Sequence, residues 1–299
     1  MAVAGRAVAT EVEGLGGALL LCASPIGNLG DITYRAVAAL HAADLILAED
    51  TRRTAGLLRH YGVQAGGRLL SLHDHNERDR TQAVIERVRA GASVVLVTDA
   101  GTPTVADPGF HLVRAAIDAG LPVQVLPGPS AVLVAVALSG LALHQFAFYG
   151  FVPRRQAERV KVLRDALARP LTAVWFESPH RLRATLQTIV AAGFGARHVA
   201  VARELTKLHE EVVRGAAGDV AARYAAEGVR GEITLCVEGS GGADAVPEEA
   251  GWDAALEMVN ELRGQGMRLA AAVASVSKAT ALSRRELYRR SMDPSRPTR

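Results

Sequence analysis

Three short loops rich in glycine and proline carry the polar residues with the clearest chemical potential. They are Ser24-Pro25-Ile26-Gly27-Asn28-Leu29-Gly30-Asp31, Thr98-Asp99-Ala100-Gly101-Thr102-Pro103 and Pro127-Gly128-Pro129-Ser130-Ala131. Each loop follows an apolar run, so in a parallel α/β sheet each lies at the carboxyl end of a strand, where such sheets bind small ligands. Glycine lets the backbone approach a ligand, and proline fixes the shape of a loop. The pattern predicts an enzyme with a preformed ligand cleft.

An aspartate stands at the tip of the second loop. Asp99 directly follows the apolar run 93–98. A carboxylate at the end of a buried strand is costly unless a donor or a cation pairs with it. We therefore expect Asp99 to meet a ligand hydroxyl, an ammonium group or a backbone N–H.

The common nucleotide and metal motifs are missing from the sequence. No glycine is followed by lysine, so a Walker A phosphate loop is absent. Gly27 and Gly30 follow the first apolar run without the third glycine of a dinucleotide fingerprint. No cysteine–histidine cluster has zinc spacing. We expect neither a usual ATP or NAD site nor a metal.

Alternating apolar runs and helical patterns position the three loops. Strands are predicted at 18–23, 45–49, 69–72, 93–98 and 123–126, and their continuous apolar character indicates burial on both faces of a mostly parallel sheet. Residues 18–139 are therefore predicted to form a first α/β domain. A second α/β domain is predicted over 140–238. There the strands at 198–203 and 210–214 lie too close for a crossover helix, which predicts an antiparallel pair in a mixed sheet.

The two ends of the chain differ from this α/β body. Residues 1–17 are predicted to be a flexible leader, and 239–249 a linker. Residues 250–299 are predicted to be a small helical tail like a helix-turn-helix, whose last helix opens with the capping box Ser283-Arg284-Arg285-Glu286. The fold class is thus α/β, with two domains and a helical tail.

Composition narrows the class of protein further. The net charge is +3, and only three of the 34 basic residues are lysine, a balance compatible with a nucleic-acid partner. No apolar run reaches the roughly 20 residues of a membrane span. Cys22 and Cys236 both lie in apolar runs, so we expect two buried thiols in a cytoplasmic protein.

Several longer motifs, taken together, resemble one family. Beyond the three loops they are Ala48-Glu49-Asp50-Thr51-Arg52, Leu72-His73-Asp74-His75-Asn76-Glu77, Asp107-Pro108-Gly109, Phe176-Glu177-Ser178-Pro179-His180-Arg181, Ala202-Arg203-Glu204-Leu205-Thr206-Lys207 and Gly231-Glu232-Ile233-Thr234-Leu235. In order and content they closely resemble the ribosomal RNA small subunit methyltransferase I family, within the tetrapyrrole methylase superfamily. The resemblance covers about residues 19–288.

The resemblance implies a cofactor, a reaction and partners. It implies an enzyme with a cleft between two α/β domains that uses S-adenosylmethionine to methylate the ribose 2′-hydroxyl of a cytidine in the decoding region of 16S rRNA. It implies a homodimer acting on 16S rRNA in the 30S subunit. By similarity, the cofactor contacts are Pro25, Gly27, Asp99, Ala100, Gly101, Thr102, Ser130, Ala131, Glu232, Ile233 and Thr234.

The implied reaction also suggests catalytic and RNA-binding residues. A ribose hydroxyl is a weak acid, so its attack needs a base or surroundings that lower its pKa. Asp31 and Asp50 are candidate bases, and the charge of Lys207 would favour the alkoxide; alternatively, Asp31 caps the helix near Thr33 and Lys207 is a surface lysine. The candidate RNA contacts are Asn28, Arg52, Arg53, His75, Asn76, Arg154, Arg181 and Arg203.

Two other functions stay open at this point. The same fold acts on tetrapyrroles or on modified protein residues in other members of the superfamily. A ligand-sensing regulator that binds nucleic acid through its tail is a different class, although the dense motifs of the α/β body favour an enzyme.

Overall fold

The computed structural model describes residues 16–225, 228–240, 249–280 and 282–292. Most of the predicted leader (1–17) and linker (239–249) lies outside the described residues. The chain divides into two compact units, Met1–Gly239 and Ser240–Arg299. Both α/β sheets belong to the first unit.

The first sheet is fully parallel and carries the three loops at its carboxyl edge. Its strand order is β3-β2-β4-β1-β5. The strands are β1 (Leu19–Cys22), β2 (Leu45–Ala48), β3 (Leu69–Ser71), β4 (Val94–Val97) and β5 (Val123–Leu126). The helices that follow them in turn are α1 (Tyr34–Ala42), α2 (Thr51–His60), α3 (Glu77–Arg89), α4 (Phe110–Asp118) and α5 (Ala131–Ser139).

Helices cover both faces of this sheet, which explains its continuous apolar strands. Leu20 and Ile46 pack with α1 and α2 on one face, through residues such as Leu40. Leu21 and Leu96 pack with α3 and α4 on the other face. Burial on both faces favours apolar residues at every strand position.

The second sheet is mixed, as predicted. Its order is β6-β7-β10-β8-β9, in which β6 and β7 are parallel and the other neighbours are antiparallel. The strands are β6 (Phe146–Phe151), β7 (Thr172–Glu177), β8 (His198–Arg203), β9 (Glu211–Ala216) and β10 (Ile233–Val237), with helices α6 (Gln156–Leu167), α7 (Leu182–Ile189) and α8 (Ala217–Arg223). The two predicted α/β sheets are therefore confirmed.

Helix α5 joins the two sheets. Val132, Ala135 and Val136 of α5 pack against Val174 and Cys236 of the second sheet. The predicted boundary at 139–140 assigns this helix to the first domain, whereas its buried side faces the second sheet. Both cysteines are buried and free, and burial raises the pKa of each thiol to about 12.

The second unit is a three-helix cluster with a core of its own. It contains α9 (Glu249–Gly264), α10 (Leu269–Thr280) and α11 (Arg284–Ser291). Trp252, Val259, Val273 and Leu287 are among its buried residues. Ser283 caps α11, because its hydroxyl accepts a hydrogen bond from Glu286 N at 3.4 Å. None of the described helices is both long and apolar enough to cross a membrane.

Candidate active site

Two adjoining cavities lie between the loops of the two sheets. The first cavity has a volume of about 440 Å³ and the second about 390 Å³. They share five lining residues, namely Ile26, Arg53, Asp99, Ala100 and Glu232. Both sheets contribute to the walls. The loops that follow β1, β4 and β5 line the cleft, so it lies at the carboxyl edge of the first sheet, where the sequence predicts it.

The predicted cofactor residues all line this cleft. The first cavity is lined by Asp99, Ala100, Gly101, Thr102, Ser130, Ala131, Glu232, Ile233 and Thr234. The second cavity is lined by Pro25 and Gly27, together with Asp99, Ala100 and Glu232. Apolar walls come from side chains such as Val105, Phe151, Phe176 and Leu205. A cavity with apolar walls and a few polar groups is typical of a small-molecule site.

Backbone contacts hold the loops in one arrangement. Ser24 N donates to Gly101 O at 2.9 Å, and Gly101 N donates to Ser24 O at 3.1 Å. The Ser24 hydroxyl donates to Thr98 O at 3.0 Å, and Gly101 has φ +80°, a backbone conformation that favours glycine. Ser130 caps α5, because its hydroxyl accepts from Leu133 N at 3.5 Å. The site is therefore preformed.

Gly27 makes room for another loop of the protein rather than for a ligand alone. A Cβ atom at Gly27 would lie 2.8 Å from Leu205 O and 2.9 Å from Thr206 Oγ1, and would also meet the Lys207 side chain. Glycine at this position therefore serves the close approach of a protein loop as well as the predicted approach of a ligand. The loop after β8 fills that space and brings Lys207 to the cleft.

Asp99 has two partners in the protein. Its Oδ1 accepts from Asp50 N at 3.2 Å, and its Oδ2 forms an ion pair with Arg53 Nη1 at 3.1 Å. A backbone donor of the expected kind is thus present. Arg53, a candidate RNA contact, has its guanidinium beside Asp99 and lines both cavities, while its side chain remains 68% exposed.

Lys207 is fixed between two carboxylates. Its Nζ lies 2.7 Å from Glu204 Oε1 and 3.0 Å from Glu232 Oε2. Burial lowers the pKa of Lys207, but hydrogen bonds to these two carboxylates more than offset it, so the pKa is raised overall. Lys207 therefore stays protonated. It lines the second cavity and places a fixed positive charge there. It does not act as a base at neutral pH.

The loop that carries Lys207 has an unusual backbone. Glu204 (φ +50°) and Thr206 (φ +64°) both adopt left-handed conformations. Gly231 has φ +90°, and a Cβ atom there would lie 2.5 Å from Glu204 Cδ, so this position favours glycine. Hydrogen bonds from Lys207 and from Glu232 N lower the pKa of Glu204. Strain of this kind persists only where the surroundings enforce it, and it is concentrated at functional sites.

The two candidate bases lie elsewhere. Asp31 is exposed in a short 3-10 turn (Leu29–Asp31), and Thr33, not Asp31, caps α1 by accepting from Ala36 N at 3.2 Å. Asp50 caps α2 by accepting from Arg52 N at 2.8 Å. Hydrogen bonds from the Arg52 backbone and side chain lower the pKa of Asp50. Neither aspartate lines either cavity.

The other candidate RNA contacts divide into partly buried and exposed residues. Arg181 pairs with Glu177 at 2.8 Å, and Arg203 with Glu211 at 3.1 Å, so both guanidinium groups are partly buried in ion pairs. Asn76 is also partly buried, and its side chain accepts from His73 N at 2.9 Å. The remaining candidates are exposed, namely Asn28, Arg52, His75 and Arg154.

One acid in the first cavity, Asp107, has no role predicted from the sequence. Asp107 lines it, and the pKa of its carboxyl is raised to about 7, first by burial and then by the negative charge of Glu49. The signal for this residue was its place in the motif Asp107-Pro108-Gly109, just after the second loop. Glu49 lines the same cavity, and burial raises the pKa of its carboxyl as well.

The fold and cleft define an α/β enzyme that binds a small ligand between two sheets. The model of the family "Tetrapyrrole (Corrin/Porphyrin) Methylases" matches residues 19–221. The chain therefore belongs to the tetrapyrrole methylase family, whose enzymes use S-adenosylmethionine as methyl donor. The cleft fits this cofactor, because the first cavity offers apolar walls, backbone donors and carboxylates for a molecule with apolar and cationic parts.

Similar proteins support the assignment to the tetrapyrrole methylase family. The chain is 44% identical over 273 residues to "Ribosomal RNA small subunit methyltransferase I" of Mycobacterium tuberculosis (strain ATCC 25618 / H37Rv), covering 91% of this chain and 93% of the relative. It is 38% identical over 275 residues to the protein of that name in Halalkalibacterium halodurans, with coverage of 91% and 93%. A crystal structure of diphthine synthase shares the fold, with a TM-score of 0.59 at 16% identity over 74% of this chain and 90% of that one.

Proposed function

We propose that this methyltransferase acts on small-subunit ribosomal RNA, at the ribose 2′-hydroxyl of a cytidine in the decoding region of 16S rRNA. The relatives that carry the small-subunit rRNA name match nine-tenths of the chain. The observation that carries the chemistry is the position of Lys207, a protonated amine in the wall of a cavity that adjoins the cofactor cavity.

The proposed mechanism assigns positioning and charge stabilisation to the protein. When bound, S-adenosylmethionine would supply a methyl group carried on a sulfonium sulfur. That sulfur would leave as a neutral thioether. The first cavity holds the cofactor, and the second receives the ribose hydroxyl. The ammonium of Lys207 lowers the pKa of that hydroxyl by stabilising the alkoxide, and the proton leaves to water. Glu204 and Glu232 keep Lys207 charged and oriented.

Each of the two units offers exposed arginines as proposed RNA contacts. In the first unit these are Arg52, which is 92% exposed, and Arg154. In the second unit, α11 presents Arg284, Arg285 and Arg289 on its exposed side, around the partly exposed ring of Tyr288. Arginine pairs with phosphate and stacks on bases, so binding by this set is expected to weaken with salt.

We further propose that the enzyme is a cytoplasmic homodimer that recognises its RNA within the 30S subunit. Strand β5 is an edge strand whose Val125 is 48% exposed, and Tyr34 and Leu133 are also exposed. Arg35 Nη2 donates to Val125 O at 2.8 Å, so the start of α1 lies beside this strand. Exposed apolar residues at a sheet edge favour an interface. Analytical ultracentrifugation tests the dimer.

Methyl transfer from radiolabelled S-adenosylmethionine tests the proposed function. We expect label in the RNA of 30S subunits, less in naked 16S rRNA, and none in DNA or in a porphyrinogen. Label in the tetrapyrrole with none in 30S RNA would contradict the proposal. Binding of the cofactor with no transfer to any of them would favour the ligand-sensing alternative.

A further inference from the structure

The first cavity has an excess of acidic side chains. Among the described residues that line it, Arg53 is the single basic one. The acidic ones are Glu49, Asp99, Asp107, Glu177 and Glu232. Three of these have cationic partners, because Asp99 pairs with Arg53, Glu177 with Arg181 and Glu232 with Lys207. Glu49 and Asp107 form no ion pair with any described residue.

Asp107 sits in a segment whose backbone is held in unusual conformations. Thr104 (φ +72°) and Ala106 (φ +64°) are left-handed although neither is glycine. Gly109 has φ +122°, and a Cβ atom there would lie 2.5 Å from Leu96 Cδ2. Each left-handed residue costs about 1 kcal/mol or more, so the surroundings enforce this shape. The segment therefore holds Asp107 in the cavity wall.

The groups that face Asp107 come from three neighbouring strand ends. Glu49 follows β2, Asp74 follows β3 and Asp99 follows β4, and the charges of all three raise the pKa of the Asp107 carboxyl. Burial is the largest cause of the raised pKa of Asp107, and a hydrogen bond from the Thr98 side chain lowers the pKa. Arg53 on α2 is engaged by Asp99. From the second sheet, Glu177 and Glu232 line the same cavity.

We propose that Asp107, with Glu49, makes the first cavity bind the cationic methyl donor S-adenosylmethionine more tightly than its neutral product. This proposal rests on the proposed function for the identity of the cofactor. S-adenosylmethionine and S-adenosylhomocysteine differ only in the methyl group and the positive charge at sulfur. A carboxylate in the cavity wall therefore attracts the donor more than the product. This preference admits a fresh donor in the presence of product and favours product release after transfer.

The preference has a proton signature. At pH 7 a carboxyl with a pKa of about 7 is half protonated. An opposite charge nearby lowers a carboxyl pKa by about 1 to 3. With a lowering of about 1, binding of the donor releases about 0.4 proton at pH 7. The ratio of donor to product affinity then rises about sevenfold between pH 5.5 and pH 8. Binding of the neutral product releases no proton through this carboxyl.

Isothermal titration calorimetry in two buffers of different ionisation enthalpy measures this proton release for each compound. For the wild-type chain we expect release with S-adenosylmethionine and none with S-adenosylhomocysteine. For Asp107→Asn we expect a reduced release. At pH 8 that variant should bind the donor about ninefold more weakly, with product affinity within about twofold of wild type. Asp118→Asn, which removes an exposed acid from α4 outside the cavity, should match wild type.

The outcomes separate this inference from the RNA function. The wild-type measurement needs neither RNA nor a variant, so it applies whether or not the chain methylates 30S subunits. Equal proton release with both compounds, or equal affinities at every pH, would overturn the selection by Asp107 and leave the methyltransferase proposal intact. A chain that binds neither compound would overturn both.

Discussion

Replacement of Lys207 tests the proposed chemistry most sharply within the protein. Lys207→Met keeps most of the length of the side chain but removes its charge, while Lys207→Arg retains a charge. At an effective dielectric constant of 20, a cation 4 Å from a developing alkoxide contributes about 4 kcal/mol. The Lys207 side chain is 28% exposed and shares its charge with two carboxylates, so we reduce this to about 2 kcal/mol.

A loss of about 2 kcal/mol predicts a kcat about 30-fold lower for Lys207→Met. Affinity for S-adenosylmethionine should stay within about threefold, because Lys207 lines the second cavity and not the first. Lys207→Arg should recover part of the rate. The assay is single-turnover methyl transfer to 30S subunits with saturating cofactor, with calorimetry as the binding control. A rate for Lys207→Met within about threefold of wild type would refute the role of this charge.

Three further changes have defined outcomes. Gly27→Ala should lower the free energy of unfolding by about 1–3 kcal/mol, because the added Cβ meets Leu205 O at 2.8 Å. The control Gly56→Ala, with nothing within 4 Å of the added Cβ, should stabilise α2 by about 0.5–1 kcal/mol. Chemical denaturation measures both, and an undiminished stability of Gly27→Ala would contradict the packing of Gly27 against Leu205. Asp99→Ala should abolish measurable cofactor binding in calorimetry, since it leaves Arg53 unpaired in the cavity wall; unchanged affinity would remove Asp99 from the site. Deletion of the tail after Gly242 should weaken RNA affinity, measured by fluorescence anisotropy, more than cofactor affinity, and the opposite ranking would make the tail a folding element.

Most of the fold can be predicted from the sequence, because its strands are short apolar runs that end at loops rich in glycine, proline and polar residues. The continuous runs at β1, β2 and β4 predict a buried parallel sheet, and the short spacing of β8 and β9 predicts their antiparallel pairing. Helix α5 shows the limit of such reasoning. It follows β5 in sequence, but its apolar residues are buried against the second sheet, and no local pattern distinguishes the two destinations.

The sequence predicts which loops form the cleft. It predicts less well which partner each side chain in the cleft contacts. The loops assemble because the carboxyl ends of parallel strands share one edge. Asp50 was a candidate base, and the structure adds that it caps the helix that follows it. The partners of Lys207 depend on the pairing of β8 with β10, which brings Glu232 to it across 25 residues of chain. The surroundings of Asp107 likewise depend on the order β3-β2-β4.

The position of the transferred methyl group tests the central claim most directly. 30S subunits that lack the modification are incubated with the enzyme and S-adenosylmethionine, and the 16S rRNA is digested and mapped by mass spectrometry. The account predicts one added methyl on the ribose of a cytidine in the decoding region, with a strongly reduced yield for Lys207→Met. A methyl group on a base, or no methylation of 16S rRNA by an enzyme that binds the cofactor, would contradict it.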